Sequence, residues 1–305
     1  MQPNLNIKIG KMHLKNPVMV ASGTFGYAQE FSDLVDLKRL GAIVSKTITL
    51  KARPGNPLPR TCETPAGMLN SIGLENPGIE KFIQEKLPVL RQIRVPIIVS
   101  IAAEKNPAEF VLLAKQLDKI QEVAAIELNI SCPNVRSQSS LISQDAQATY
   151  KTVKAVRKVS AKTLITKLSP NVTDISQIAL AAEKAGSDAV SLINTLSGMS
   201  IDTKTAKPKI ACISAGLSGP AIRPVAVRMV WQVYQKIKIP IIGMGGIIDT
   251  SSALEFFLAG ASAVAVGTGN FINPAASTEI IDGIGLYMEK NRLHNMKKLV
   301  GAIKI

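Results

Sequence analysis

The stretch Pro240–Gly269 reads PIIGMGGIIDTSSALEFFLAGASAVAVGTG. Ile241 and Ile242 open a strand-length apolar run that breaks into Gly-Met-Gly-Gly. Asp249 or Thr250 then suits a helix N-cap, and Leu254, Phe257 and Leu258 follow as the apolar residues of a helix. Gly260 stands where a helix ends in the left-handed conformation, and Ala263–Thr268 is a second strand-length run. The pattern is strand, helix, strand, the unit from which parallel sheets are built.

The same unit recurs outward from it. Strand-length runs occupy Pro17–Gly23, Ala42–Thr49, Pro96–Ala102, Ala125–Ser131, Leu164–Ser169, Ala189–Asn194, Pro240–Gly245 and Ala263–Thr268. Each is rich in Val, Ile or both and almost continuously apolar, as strands buried on both faces are. Helical periodicity fills most of the gaps. Thr173 and Asp174 read as an N-cap, Ile175, Ile178 and Ala179 as an apolar face, and Gly186 as the closing glycine. The segments Leu40–Val44, Ala185–Val190 and Ala259–Val264 repeat a glycine shortly before a strand. Eight such units predict an α/β fold, a (β/α)₈ barrel. Two connections, Leu50–Val95 and Thr195–Ile239, are too long for one helix each and predict small strands or lids over the barrel mouth, after strands 2 and 6. No low-complexity linker divides the chain, so residues 1–305 read as a single domain.

Composition narrows the function classes. An apolar fraction of 46% with 19% charged residues excludes a disordered chain. No apolar run approaches the ~18 residues of a membrane span. Met1–Lys15 shows no secretory pattern, and three widely spaced cysteines, Cys62, Cys132 and Cys212, argue against a disulfide framework, so a reducing cytoplasm is expected. Without a Cys-x-x-Cys pair the chain does not supply the ligands of an iron–sulfur cluster. The net charge of +14 is spread out, with Lys151, Lys154, Arg157 and Lys158 at helical spacing, and aromatics make up only 4%. Solvated helix faces account for that charge better than a nucleic-acid surface does.

Barrel enzymes work at the C-terminal ends of their strands. Here those ends carry Ser22, Lys46 and Thr47, Ser100, Asn129, Lys167, Asn194 and Thr195, Gly245 and Gly246, and Gly267 and Thr268. Lysines inside apolar runs are costly unless they face something complementary, so Lys46 and Lys167 are expected to face an anion, an electron-rich ring or a carbonyl. Glycine loops after strands 7 and 8 predict a phosphate site built from backbone N–H groups, with Gly219 as a possible third edge. This is not a dinucleotide fingerprint, because Ile248 takes the place of its last glycine. Cys62 and Cys212 read as small buried apolar residues. Cys132, on a loop at the mouth in Asn129-Ile-Ser-Cys-Pro-Asn134, has a thiol suited to general base catalysis. His13 and His294 follow no strand, which argues against a Cys–His dyad and against a histidine-rich metal site. Asn70, Asn129, Asn134 and Asn194 offer paired donors and acceptors that suit a pyrimidine dione.

Taken in order, these motifs resemble the class 1 dihydroorotate dehydrogenases over essentially the whole chain. The matching stretches are Ala21–Gly26 (ASGTFG), Ser45–Thr47, Arg53–Pro57, Gly67–Leu74 (GMLNSIGL), Ile126–Asn134 (IELNISCPN), Lys167–Asn171, Ile193–Thr195, Gly216–Pro224, Ile242–Gly246 and Ala265–Thr268. The wording is most similar to the type 1B, NAD-linked catalytic subunits. The resemblance implies FMN across the barrel mouth. Ser22, Lys46, Thr47, Asn129, Lys167 and Ile193 would touch its ring and ribityl chain, with Ser100 nearby. Gly219, Gly245, Gly246, Gly267 and Thr268 would hold its phosphate end. Dihydroorotate would meet Lys46, the loop Asn70, Ser71, Ile72, Gly73 and Leu74, and Asn129, Asn134, Asn194 and Thr195, with Cys132 removing the C5 proton. FAD and a 2Fe–2S cluster would reside on a partner subunit, in a heterotetramer built on a homodimer of this chain. Membrane-linked class 2 relatives carry serine at the base position and an N-terminal extension, so a quinone acceptor is not expected.

Two positions depart from the pattern. Relatives commonly place Asn where Ser100 stands, and Ser137–Ser143 replaces a glycine-rich loop next to the base. Three other readings remain open at this point. They are a fumarate-linked type 1A enzyme, a flavin-free sugar-phosphate aldolase or synthase with Lys167 as Schiff-base lysine, and an RNA-binding flavoprotein similar to dihydrouridine synthases.

Overall fold

The computed structural model describes residues 3–130 and 142–304. Among them, eight parallel strands close into a barrel: β1 (Val18–Val20), β2 (Ala42–Val44), β3 (Ile97–Ile101), β4 (Val123–Asn129), β5 (Thr163–Lys167), β6 (Ala189–Leu192), β7 (Ile241–Gly243) and β8 (Ala263–Val266). Neighbours in the barrel are neighbours in sequence, and β8 pairs with β1 to close it. All eight predicted runs are therefore strands, buried on both faces for the reason their composition suggests.

Outward residues such as Val99, Leu128, Leu164 and Val264 pack against Phe110, Val153, Ala182 and Phe256 of the surrounding helices. The helix ends follow from local chemistry. Asp174 accepts from the backbone N–H of Ser176 at the start of Ile175–Ala185, and Gly186 ends that helix at φ 101°. Asp249, rather than Thr250, caps Thr250–Ala259 in a reciprocal box with Ser252, and Gly260 closes it at φ 118°. In that helix Phe256 and Phe257 are fully buried, while Leu254 and Leu258 are only partly so. Lys151, Lys154 and Lys158 are exposed, as solvated helix residues should be; Arg157 instead pairs with Asp188 at 2.9 Å.

Inside the barrel, alternation turns a second set of side chains toward one another. Ala42, Ala125, Ala189 and Ala263 stand at or near the strand starts, and their small size leaves room for Ile9, Met12 and Leu14. Those three belong to an antiparallel hairpin, Ile7–Ile9 with Met12–Leu14, that plugs the N-terminal end. The plug leaves the opposite end as the open one.

The two long connections interlock there. Thr61–Thr64 and Gly67–Asn70 from the first join Leu196–Gly198 and Ala215–Ser218 from the second in one antiparallel sheet. Asn70 pairs with Gly216 and Leu69 with Leu217, so this sheet is a lid shared by the insertions after β2 and β6. No described helix is long and apolar enough to cross a membrane.

Candidate active site

A cavity of about 320 Å³ opens between the C-terminal ends of the strands and the lid. Its volume lies in the range of small-molecule and cofactor sites. Each barrel strand except β3 places a residue in its wall, most of them immediately after the strand ends: Ser22, Lys46 and Thr47, Asn129, Lys167, Ile193 to Thr195, Gly245 and Gly246, and Gly267 and Thr268. The lid contributes Asn70, Ile72, Gly73 and Leu74.

Hydrogen bonds tie the floor together. The Asn129 side-chain amide donates to Thr47 Oγ1 at 3.2 Å, and the Asn194 amide reaches Asn129 Oδ1 at 3.5 Å. Lys167 is 5% exposed, and its Nζ donates to Ser22 Oγ at 3.3 Å. Lys46 is half-buried. Among the described residues neither lysine forms an ion pair, whereas the carboxylate in the wall, Glu75, is already paired with Arg60. The cavity is therefore electropositive and suited to an anion.

The far end is built from backbone. Gly219, Gly245 and Gly246 have φ of 96°, 127° and 77°. A Cβ on Gly246 would sit 2.7 Å from Arg223 Cβ and 2.8 Å from the Gly219 carbonyl oxygen. At Gly267 a Cβ would meet nothing closer than Ala21 Cβ at 3.8 Å, and at Gly23 nothing within 4 Å, so these two leave bare wall toward the cavity. Thr268 Oγ1 donates to Ser218 Oγ at 2.8 Å and joins the loop after β8 to the lid. Glycine-walled space flanked by hydroxyls and lysines fits the phosphate and polar edges of a flavin mononucleotide.

The lid loop is held from behind. Asn56 Nδ2 donates to Ser71 Oγ at 2.8 Å, Arg53 Nε to the Gly73 carbonyl at 3.2 Å, and Asn76 Nδ2 to the Leu74 carbonyl at 2.7 Å. These bonds present Ile72, Gly73 and Leu74 to the cavity and turn Ser71 away from it.

The whole-chain comparison agrees with this geometry. The family model described as Dihydroorotate dehydrogenase matches residues 4–288. The chain belongs to the dihydroorotate dehydrogenase family. The protein named "Dihydroorotate dehydrogenase B (NAD(+)), catalytic subunit" from Trichlorobacter lovleyi is 52% identical over 304 residues, covering 100% of both chains. Proteins of the same name from Geotalea uraniireducens and Bacteroides thetaiotaomicron are 51% and 47% identical over 302 residues, with 99% of each chain covered.

Against this dihydroorotate dehydrogenase barrel, most residues singled out from sequence converge on one cavity. Ser100 does not line it. It is fully buried, with its hydroxyl 2.9 Å from Thr47 Oγ1, because a serine at this inward position is too short to reach the mouth. Ser71 is 1% exposed and serves the loop's own bonding instead. Cys132 and Asn134, with Ser137–Leu141 of the divergent loop, lie outside the described residues. Cys62 and Cys212 are half-buried rather than core residues; Cys62 packs against the small apolar cluster of the lid.

Sequence reading passed over Ala21, Gly23, Thr24, Glu75, Ser218, Ile222 and Met244, all in the wall. Ala21, Gly23, Thr24, Ser218, Ile222 and Met244 lie inside quoted motifs, so their neighbours already marked them, and Glu75 directly follows the quoted Gly67–Leu74.

Proposed function

We propose that this chain, as one barrel domain, oxidises dihydroorotate to orotate in pyrimidine biosynthesis, using bound FMN and handing its electrons to NAD⁺ through a partner subunit. The observation that carries this reading is the convergence in one electropositive cavity of glycine loops after β7 and β8, the lysines Lys46 and Lys167, and the amides of Asn70, Asn129 and Asn194. Full-length identity of about half to proteins named as NAD(+)-linked catalytic subunits supports it.

Gly219, Gly245, Gly246, Gly267 and Thr268 hold the phosphate end of FMN, and Ser22, Lys46, Thr47, Asn129, Lys167 and Ile193 its ring and ribityl chain. When bound, FMN supplies the two-electron acceptor for the hydride from C6 of the substrate. Lys46, Asn70, Asn129, Asn134, Asn194 and Thr195 bind the substrate's carboxylate, carbonyl and N–H edges, and Ile72 to Leu74 close over it. Cys132, as thiolate, takes the C5 proton while the C6–H pair leaves, and the C5–C6 double bond forms. A thiol near its ordinary pKa of ~8.5 is a usable base for this step.

Three widely separated cysteines do not make a cluster site. FAD and the 2Fe–2S centre are therefore assigned to the partner, in a cytoplasmic heterotetramer around a homodimer of this chain. The test is to purify the chain and mix it anaerobically with dihydroorotate. A yellow protein holding about one FMN per chain, bleached by dihydroorotate, is expected. A colourless protein that binds a sugar phosphate would replace this reading with the synthase.

A further inference from the structure

Glu127 stands on β4 two residues before Asn129 and is 2% exposed. Strand alternation turns it to the same side as Asn129, into the barrel and one layer below the cavity floor. Its Oε2 accepts from Ser191 Oγ of β6 at 3.0 Å. Its Oε1 is sealed from solvent and has no hydrogen-bond partner. The interior around it is largely Ala, Ile, Met and Val. A carboxylate so placed needs a compensating charge.

Strand register supplies Lys167 as the candidate. It pairs in register with Asn129 on one side and with Ser191 on the other, so it stands between the strand neighbour of Glu127 and its hydrogen-bond partner. Glu127 pairs with Ile165, two residues before Lys167, which makes the two charged residues diagonal neighbours on the inner face. Such diagonals lie ~7–8 Å apart at the Cα atoms, within reach of long side chains. Among the described residues neither Glu127 nor Lys167 forms an ion pair in direct contact.

We propose that Glu127 is the buried counter-charge of Lys167, a positioning residue that offsets the lysine's field at the flavin and holds the flavin potential down. This rests on the FMN reading above. The ammonium favours the negative charge that reduction adds to the ring, and the carboxylate beneath opposes it. The balance leaves the reduced cofactor able to give its electrons onward. Glu127 touches neither substrate nor cofactor in this arrangement and acts through the charge it places under Lys167.

The test is a spectroelectrochemical titration of the FMN-loaded chain, comparing wild type with Glu127→Gln and Ser191→Ala. Glu127→Gln is expected to keep its FMN and to show a midpoint potential more positive than wild type. Ser191→Ala removes the hydroxyl that donates to the carboxylate and should shift the potential the same way by less. A purely structural role would leave the potential of a variant that retains FMN where it was. An unchanged or lower potential in Glu127→Gln overturns the proposal. If Glu127→Gln fails to load FMN, an unchanged potential in Ser191→Ala overturns it equally. Wild-type protein that binds no FMN would instead overturn the FMN reading on which the proposal stands.

Discussion

Asn129 and Thr47 meet across the barrel mouth: the Asn129 amide, from β4, donates at 3.2 Å to the hydroxyl that follows β2, while β3 runs between them. Beneath the bridge, the Ser100 hydroxyl of β3 lies 2.9 Å from Thr47. One hydroxyl thus orients an amide assigned to both flavin and substrate.

Thr47→Val removes that hydroxyl and takes a partner from both Asn129 and Ser100. Leaving buried polar groups short of a partner costs about 1–3 kcal/mol. Denaturant titration should show a loss of this size, and orotate should bind roughly tenfold more weakly, the equivalent of ~1.4 kcal/mol. Ser100→Ala should retain FMN and lose less affinity, since Ser100 reaches the site only through Thr47.

How much of this was legible follows residue by residue. The eight strands could be read because burial on both faces makes each run nearly all apolar. Asp174, Gly186, Asp249 and Gly260 could be read because helix ends are local chemistry. The hairpin Ile7–Leu14 was not read. Its strands are three residues long, carry Lys8 and His13, and become a plug only against alanines far along the chain. The insertions were recognisable as lids, but the pairing of Asn70 with Gly216 spans 146 residues and leaves no local mark. Ser100 was placed by its strand-end position, and only side-chain reach puts it below the mouth. Glu127 carried the same signal as Lys46 and Lys167, a charge inside an apolar run, and it sits in a quoted motif.

Gly246→Ala tests the loop proposed to hold the phosphate. At φ 77°, with backbone 2.8 Å from the new Cβ, the loop must shift. The variant should fold and lose FMN affinity by at least about tenfold, the equivalent of ~1.4 kcal/mol, measured by fluorescence of released flavin. Gly285→Ala, in the helix Ala276–Lys290 with nothing within 4 Å of its Cβ, is the contrasting change. It should keep FMN and gain about 0.5–1 kcal/mol in stability.

Asp249 makes acid stability readable. The backbone N–H of Ser252 holds its carboxyl below the ordinary value, helped by the Ser252 hydroxyl and Arg223, although burial opposes the shift. A lowered carboxyl pKa stabilises the fold above the ordinary value near 4, and that stabilisation disappears as pH falls through the lowered one. Asp249→Ala should therefore cost about 1 kcal/mol at pH 7, with the gap to wild type closing below about pH 4. A gap that stays constant with pH would contradict the assignment.

The electron acceptor separates the neighbouring types. The isolated chain should be reduced by dihydroorotate yet reduce NAD⁺ poorly, and added partner subunit should restore NAD⁺ reduction. Efficient NAD⁺ reduction by rigorously pure chain would remove the need for a partner. Strong fumarate reduction would place it with the type 1A enzymes.

The central claim joins Cys132 to the flavin, and rapid-mixing reduction of the FMN-loaded chain by dihydroorotate at pH 7 tests it most directly. Cys132→Ser changes one atom at nearly constant volume, and a serine hydroxyl, unlike a thiol of pKa ~8.5, yields almost none of its conjugate base at pH 7. Neither histidine, His13 in the N-terminal hairpin or His294 after the last long helix, follows a barrel strand to assist it. The variant should fold, stay yellow and bind orotate, while its flavin is reduced about 10²–10⁴-fold more slowly, a barrier higher by ~3–5 kcal/mol. Wild-type reduction should quicken as pH rises through the thiol pKa, an inflection the variant lacks. Reduction of the Cys132→Ser flavin within a few-fold of wild type would contradict the account, because the C5 proton would then have to leave by another group.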